Sequence, residues 1–229
     1  MKQICKLVVM LLLAFTAGVQ AQLVTYPESL NPGMPHNDDY TVRVRIPGGE
    51  WKDLFEYNVQ VDMDNVQNAS MVQFDMGSAV EVMVKKNNGS VREVTIRPLS
   101  KGIEYKQIQN AILFTLEKPQ YLSIEFDGDR LHNLHLFANP LETEKYDKET
   151  KGIMYFGPGV HRPKDLPNNQ IRIPGNTTVY LAPGAVVKAK LLVDKAENVR
   201  IIGRGILDHP IRGIEVTDSK NVLIDGITV

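Results

Sequence analysis

The chain has 229 residues, 26 basic and 27 acidic side chains, and a formal net charge of −1. This balance argues against a nucleic-acid or anionic-membrane partner, because either would need a concentrated positive surface. The length is enough for two modest domains. The one cysteine, Cys5, lies in a segment that is predicted to be removed, so we expect a mature chain without disulfide bridges.

The first 21 residues are predicted to be a signal peptide. Lys2 and Lys6 form a positive start, residues 7–19 form an apolar core, and Ala21 ends a cleavage site of small residues. A single membrane-spanning helix is the alternative, but it would need about 20 apolar residues, more than this core offers. We therefore expect cleavage after the signal, export to the periplasm or the outside of the cell, and no later membrane span.

Residues 22–140 are predicted to form an antiparallel β-sandwich. Residues 41–46 alternate between apolar and polar side chains, which is typical of a strand with one solvated face. Residues 79–86 and 91–97 are predicted to pair as a hairpin around the turn at residues 87–90, where Asn and Gly tolerate tight-turn geometry.

Further short strands complete this domain. They are predicted over residues 55–61, 70–76, 111–116, 121–126 and 134–137. The strands over residues 111–116 and 121–126 are expected to form a second hairpin. Because no long helical pattern interrupts the strands, a sandwich is favoured. Trp51 and the Phe and Tyr residues are expected to fill its core, and a sugar-binding aromatic platform is the alternative use for them.

A charged stretch divides the chain. Residues 141–152 are poor in apolar side chains and are predicted to be a solvated linker at a domain boundary. From residue 153 to residue 229, runs of Val, Ile and Leu are separated by Gly, Pro and Asn. The second domain is therefore expected over residues 153–229.

This second part repeats itself. At an offset of 23 residues (from 193 to 216, for example), residues 191–203 align with residues 214–226 and share five identities. The identical pairs are Val193 and Val216, Asn198 and Asn221, Val199 and Val222, Ile201 and Ile224, and Gly203 and Gly226. A repeat of this length marks a solenoid, whose units bury their apolar faces only by stacking. β-Branched residues dominate and leave no room for a helix in each repeat, which favours a right-handed parallel β-helix over a leucine-rich repeat.

The repeat also predicts which side chains do what. Four β-branched residues are expected to stack inward: Val199, Ile201, Val222 and Ile224. Asn198 and Asn221 are expected to form hydrogen-bonded bends, because asparagine tolerates the left-handed conformation; a ligand site is the alternative. The pattern stops at residues 226–229 without a capping segment, so we expect the chain to be the front of a longer protein.

Several segments resemble one group of enzymes. They are residues 97–102, 134–140, 155–161, 178–188 and 201–208. The last three resemble the start of the β-helix in polygalacturonases of glycoside hydrolase family 28 and in the related dextranases and isopullulanases of family 49. The first two resemble the β-sandwich that precedes the helix in bacterial members. The resemblance covers most of the chain after residue 40, and it specifies the architecture more than the substrate.

The resemblance implies an exported glycoside hydrolase that cleaves a pectin- or dextran-like polysaccharide. Family 28 enzymes are inverting hydrolases, in which one aspartic acid protonates the glycosidic oxygen and other aspartates activate water. Their motifs Asn-Thr-Asp, Asp-Asp, Gly-His-Gly and Arg-Ile-Lys do not occur in these coils. Asp38 and Asp39 match one motif but precede the sandwich, so they receive no role. By the family's layout the catalytic residues lie beyond Val229. We therefore predict no catalytic, cofactor-binding or metal-binding residue here, and no hydrolysis of pectin or dextran by this chain alone.

Two other functions stay open. A β-helical polysaccharide lyase would use a basic residue, and usually calcium, in place of paired aspartates. A non-catalytic carbohydrate-binding or surface protein would need neither. Clustered aspartates and a Gly-His-Gly motif in coils encoded after codon 229 would favour the hydrolase.

Two histidine-containing pairs suggest a site, but each has a plainer interpretation. Asp208 and His209 are adjacent, so on an extended chain their side chains point to opposite faces, and a structural turn is favoured. His132 and His135 are three residues apart, a spacing that suits a shared metal only on a helix, whereas the surrounding sequence predicts strand.

Two further groups are weighed in the same way. Asp62, Asp64 and Asn65 suggest calcium, which prefers oxygen ligands. No glycine-centred loop or closing glutamate follows them, so a solvated strand end is favoured. His161 and Arg162 follow a Gly-Pro-Gly turn and are placed to reach a carbohydrate, but an ordinary surface position is favoured.

Overall fold

The structure, a computed structural model, describes residues 22–30, 33–62, 64–163, 167–208 and 213–229. The predicted signal peptide lies outside the described residues. Within them, the helical segments are three short 3₁₀ turns, Glu28–Leu30, Leu99–Lys101 and Pro167–Asn169, and all other regular structure is β. None of these described helices is long and apolar enough to cross a bilayer.

The front of the chain folds into two sheets. The strands are β1 Leu23–Thr25, β2 Tyr40–Arg45, β3 Lys52–Asp53, β4 Tyr57–Val61, β5 Gln67–Met76, β6 Val80–Lys86, β7 Val94–Arg97, β8 Lys106–Ile108, β9 Ala111–Leu116, β10 Gln120–Phe126 and β11 Leu134–Pro140. Sheet A has the order β1-β5-β11-β10-β7, and β4 also pairs with β5. Sheet B has the order β3-β2-β6-β9-β8. Every pairing is antiparallel except the parallel pair of β5 and β11.

One apolar core lies between sheet A and sheet B. Because side chains alternate along a strand, every second residue of each sheet points into it. Sheet B contributes the fully buried Val42, Val44, Val82, Val84 and Ile112, and sheet A contributes Val72, Phe74, Ile124, Leu134 and Leu136. The predicted sandwich is confirmed. Trp51 does not belong to this core: it lies directly before the edge strand β3, half-buried, with the guanidinium carbon of Arg45 4.3 Å from its ring centre. Its predicted place was wrong.

Both predicted hairpins are also wrong. The strand within residues 79–86 pairs with β2 and β9 in sheet B, whereas the strand within residues 91–97 pairs with β10 in sheet A. In the same way, β9 pairs with β6 and β8, whereas β10 pairs with β11 and β7. The chain crosses from sheet to sheet at both turns. Each strand has one apolar face. That face is buried when the strand lies in one sheet and packs across the core against the other sheet.

The second part of the chain forms three parallel sheets. The strands are β12 Ile153–Phe156, β13 Gly159–His161, β14 Gln170–Arg172, β15 Thr178–Leu181, β16 Ala185–Val187, β17 Lys190–Asp194, β18 Glu197–Gly203, β19 Ile206–Leu207, β20 Ile214–Thr217 and β21 Lys220–Asp225. Sheet C has the order β12-β15-β18-β21, sheet D has β13-β16-β19, and sheet E has β14-β17-β20. The chain visits the three sheets in turn, so each circuit is one coil of a parallel β-helix. The predicted fold class is confirmed.

The strand register agrees with the 23-residue repeat. Val199 lies opposite Val222 and Ile201 lies opposite Ile224 in sheet C, and Val193 lies opposite Val216 in sheet E. The two earlier residues of sheet C, Val199 and Ile201, are fully buried. Val222 packs against the same core, but Ile224 on the outer strand of sheet C keeps 45% of its surface exposed.

Asparagines form a ladder at one corner of the coils. Asn176, Asn198 and Asn221 have left-handed φ angles of 57°, 57° and 54°. The Asn198 Nδ2 donates to the Asn176 Oδ1 at 3.0 Å, and the Asn221 Nδ2 donates to the Asn198 Oδ1 at 2.7 Å. Asparagine combines tolerance of this conformation with a side chain that both donates and accepts. The interpretation of Asn198 and Asn221 as hydrogen-bonded bends is therefore confirmed.

Residues 141–152 run between β11 and β12 and contact the outer face of sheet C. The Arg200 guanidinium donates to both carboxylate oxygens of Glu144, at 2.9 and 2.5 Å. The Tyr146 ring meets the Tyr180 ring edge-on at 5.5 Å. These contacts hold the segment against the coils by one bidentate ion pair and one aromatic pair.

Candidate functional site at the domain junction

One strand of the sandwich is buried on both faces, and it marks the junction with the β-helix. Every residue from 69 to 76 on β5 is buried. Val72 and Phe74 point into the sandwich, so Met71, Gln73 and Asp75 point to the opposite side. There, Met71 shares an apolar cluster with Ile206 of the β-helix. The outward face of sheet A is therefore the surface against which the coils pack.

A buried arginine ties the two domains together. The Arg204 Nε donates to the Asp75 Oδ1 at 2.7 Å, and the two side chains are only 5% and 2% exposed. The Arg204 Nη2 donates to the Pro140 carbonyl at 2.7 Å, and its Nη1 donates to the Gly203 carbonyl at 2.9 Å. The Gln73 amide donates to the Arg204 carbonyl at 3.1 Å. An ion pair removed from water persists only with such additional hydrogen bonds.

The charges around this pair are shifted by burial and by one another. Burial lowers the pKa of Arg204, but the hydrogen bond and charge of Asp75 outweigh it and raise the pKa overall. Burial, followed by the charge of Asp75, raises the pKa of Tyr26. Burial also raises the pKa of Glu142, against the Arg204 charge and a hydrogen bond from the Tyr180 hydroxyl. The two carboxylates nearest the junction are thus both held by specific partners.

Two repeated glycines make this close approach possible. A Cβ atom at Gly203 would lie 2.0 Å from the Leu181 carbonyl oxygen of the preceding coil. A Cβ atom at Gly226 would lie 2.0 Å from the Arg204 Nη1. Glycine is therefore needed at both positions of the repeat, but for different reasons. Gly203 lets adjacent coils stack closely, and Gly226 leaves room for the Arg204 side chain.

Beside the junction, the outward face of sheet A is open. Tyr121 on β10 is 55% exposed, and its ring meets the Phe137 ring edge-on at 5.5 Å and 81°. A groove of about 330 Å³ lies between these rings and Asn139 on one side and residues 224–229 of the β-helix on the other. A second, shallower depression of about 490 Å³ adjoins it and shares both rings. We call the two together the Tyr121 groove.

A row of polar side chains crosses the shallower part of the Tyr121 groove. Arg97, Ser123 and His135 lie side by side on β7, β10 and β11. The Arg97 Nε donates to the Glu125 Oε1 at 2.7 Å, and the Ser123 Oγ accepts from the Asn133 Nδ2 at 2.6 Å. Burial lowers the pKa of His135, which keeps its ring neutral near neutral pH.

Asp208 and His132, one from each histidine-containing pair, both have a charged side-chain partner. The Asp208 carboxylate pairs with Lys188, and its backbone N–H donates to the Val187 carbonyl at 3.0 Å; His209 lies outside the described residues. His132 sits in a bend and pairs with Asp129 at 3.0 Å. His135 instead lies on β11 in the Tyr121 groove. The two histidines therefore lie in different parts of the structure.

The remaining polar candidates stabilise turns. The Asp62 Oδ1 accepts from the backbone N–H groups of Asp64 and Asn65, both at 3.2 Å. The His161 Nε2 donates to the Gly157 carbonyl at 2.7 Å, within the turn that it follows. Arg162, next to it, is exposed.

Asp38 and Asp39, which match the Asp-Asp motif of family 28, also lie in a turn. The Asp39 N–H donates to the Asn37 Oδ1 at 2.9 Å, and the Asp38 carbonyl accepts from the Asn87 amide at 2.8 Å. Among the described residues, no group of three or more His, Cys, Asp or Glu side chains is arranged to hold a metal ion.

Sequence reasoning missed the junction and the groove. Arg204 was visible as a charge between two glycines in an apolar coil, but its partner Asp75 is 129 residues away. Tyr121 was visible only as one of several aromatic residues in predicted strands. No local signal distinguishes it from the aromatic residues of the core.

Comparison with known proteins bears on the fold. Neither the protein-family models nor the curated proteins match the chain. Among solved structures, the chain is similar to Dex49A from Penicillium minioluteum, with a TM-score of 0.59 and 21% sequence identity. The likeness establishes the fold. It covers 76% of this chain and 46% of that chain, so this chain spans about half the length of Dex49A.

Proposed function

We propose that this chain supplies the sandwich and the first coils of an exported glycoside hydrolase that acts on a polysaccharide. The observation that carries the proposal is the architecture: a three-sheet parallel β-helix docked on a β-sandwich, in a structure similar to that of Dex49A. The name Dex49A corresponds to family 49, one of the two families that the coil segments resemble. Export rests on the predicted signal peptide over residues 1–21.

The coils suit this chemistry because they are a rigid ladder. Neighbouring strands of a sheet lie about 4.8 Å apart. Carboxylates placed one or two rungs apart, on the same or adjacent sheets, can therefore be held at the roughly 6.5–9.5 Å that an inverting hydrolase needs for its water. A buried ion pair such as Arg204 with Asp75 would keep the sandwich from shifting against that ladder. A polysaccharide is a suitable substrate, because it can lie along several rungs at once.

The test begins with the DNA that follows codon 229. The proposal expects further coils with clustered aspartates and a Gly-His-Gly motif in the same reading frame. The protein from the longest reading frame is then incubated with dextran and with polygalacturonate. We expect reducing ends to be released from one of them, with inversion at the anomeric carbon by NMR, and no release by the 229-residue chain alone.

Two results would contradict the proposal. One is the absence of any reducing-end release from the polysaccharide panel by the longest form. The other is an unsaturated product detected by ultraviolet absorbance, which would identify a lyase. Turnover by the 229-residue chain would instead show that the catalytic groups lie within it.

A further inference from the structure

The connection between β6 and β7 carries two neighbouring groups that can react with each other. In a peptide, the backbone nitrogen that follows an asparagine can attack the side-chain amide of that asparagine. Glycine permits this attack most readily, because it has no side chain to obstruct the approach and its backbone rotates most freely. Asn88 is the one asparagine in the sequence that precedes a glycine, Gly89.

The structure leaves both reacting groups open. Asn88 and Gly89 are exposed, and they lie in a bend of the segment that crosses from sheet B to sheet A. Within the described part of the chain, no hydrogen bond holds the Asn88 side chain or the Gly89 N–H. A Cβ atom built at Gly89 would meet no atom within 4 Å. The attack therefore requires neither the loss of a hydrogen bond nor the displacement of a neighbour.

The nearby asparagines are held in place. The Asn87 Oδ1 accepts from the Thr41 Oγ1 at 3.0 Å, and its Nδ2 donates to the Asp38 carbonyl at 2.8 Å. The Asn110 Nδ2 donates to the Gly89 carbonyl at 2.7 Å. Each of these amides would have to give up its hydrogen bonds before it could react. The structure and the sequence therefore single out the same amide in this turn.

We propose that Asn88 is a site of spontaneous deamidation. The Gly89 nitrogen bonds to the carbonyl carbon of the Asn88 side chain, the bond from that carbon to the amide nitrogen breaks, and the Gly89 N–H proton leaves with the ammonia. The product is a succinimide ring, which water then opens. Breaking the ring bond to the side-chain carbonyl carbon gives aspartate, and breaking the ring bond to the backbone carbonyl carbon gives isoaspartate. The net reaction consumes water, releases ammonia and needs no oxidant.

The product changes this connection in charge and in length. Asn88 lines a depression of about 150 Å³ together with Asp39 and Asp129, so the new carboxylate joins two others there. Isoaspartate also adds a methylene group to the backbone directly before Gly89, whose carbonyl accepts the hydrogen bond from Asn110. We expect this lengthening to displace Gly89 and to weaken its contact with the turn that follows β8.

The test is incubation of the 229-residue chain in mildly alkaline and in mildly acidic buffer, followed by tryptic digestion and mass spectrometry. The peptide 87–92 contains both asparagines of the turn, and its fragmentation locates the conversion of amide to acid. We expect conversion at Asn88 to be at least about tenfold faster than at Asn87 or Asn110. It should be faster in alkaline buffer, because the nitrogen attacks after losing its proton, and the folded chain should react about as fast as the chain in urea. Asn88→Gln is the matched control: it keeps an amide on a longer side chain and should stop the conversion.

Three results would overturn the inference. These are no conversion at Asn88, conversion no faster than at Asn87, or a rate in the folded chain more than about tenfold below the rate in urea, which would show that the turn protects the amide.

The effect on the turn has its own measurement. The isoaspartate fraction, separated by anion exchange, should unfold at a lower urea concentration than Asn88→Asp, which adds the charge without lengthening the backbone. Equal midpoints would refute the expected loss of the contact between Gly89 and Asn110. None of these measurements depends on polysaccharide hydrolysis.

Discussion

Replacing Arg204 by methionine tests whether the buried ion pair holds the two domains together. The substitution keeps an unbranched apolar stem but leaves the Asp75 carboxylate, which is 2% exposed, without its cation. It also removes the guanidinium hydrogen bonds to the Pro140 and Gly203 carbonyls. Breaking one side of a buried pair costs about 3–5 kcal/mol. That is a large part of the roughly 5–15 kcal/mol by which a typical protein is stable.

Urea unfolding measures this cost. Fluorescence of Trp51, the one tryptophan in the chain, reports on the sandwich, and far-ultraviolet circular dichroism reports on all strands. With a slope of about 2 kcal/mol per molar urea, Arg204→Met should lower the midpoint by roughly 1.5–2.5 M. The control is Arg43→Met, since the pair of Arg43 and Asp53 is 45% and 67% exposed. Such a surface pair contributes about 0–1 kcal/mol.

A double variant separates charge from packing. Asp75→Leu combined with Arg204→Met replaces the ion pair by two apolar side chains. It should be more stable than the sum of the two single losses predicts, because neither charge is left buried alone. The reasoning fails if Arg204→Met is within about 1 kcal/mol of the wild type, or if the two losses simply add.

Three further predictions concern single positions. Asn198→Ala should lower stability by roughly 1–2 kcal/mol in thermal unfolding, because it breaks the ladder at a left-handed φ of 57°; Asn198→Gly should recover part of this, and equal losses would contradict the conformational explanation. Gly203→Ala should cost more than about 2 kcal/mol, since its Cβ would lie 2.0 Å from a carbonyl oxygen, and a near-neutral result would show that the coils can separate. Because burial lowers the pKa of His135, the unfolded chain binds more protons as the pH falls below about 6.5, so the urea midpoint should fall between about pH 7 and pH 5. His135→Phe should reduce this dependence of the urea midpoint on pH. An unchanged pH dependence would contradict its assignment to His135.

In the sandwich, local sequence patterns predict the strands but not their pairing. Alternation along residues 41–46 was enough to predict a strand, which the structure places at Tyr40–Arg45. The pairing of residues 79–86 with residues 91–97 was wrong because a turn signal says that the chain reverses, not which sheet it enters next. That choice depends on apolar faces from distant strands, which must close one core together.

The coils show the opposite case. Each coil pairs with the next at a spacing near the repeat length, so Val199 lies opposite Val222 just as the alignment predicts. Pairing between neighbours in sequence leaves a periodic trace, and a stacked repeat has few other ways to bury its apolar face.

The sequence by itself therefore determined that this protein is an all-β sandwich followed by a parallel β-helix, because alternation and repetition are local properties. Only the tertiary structure decided which strands pair in the sandwich. It also decided that Asp75 meets Arg204 across 129 residues, and that Tyr121 on the outward face of sheet A remains 55% exposed. These features depend on how the sandwich and the β-helix pack together, and that packing produces no periodic pattern in the sequence.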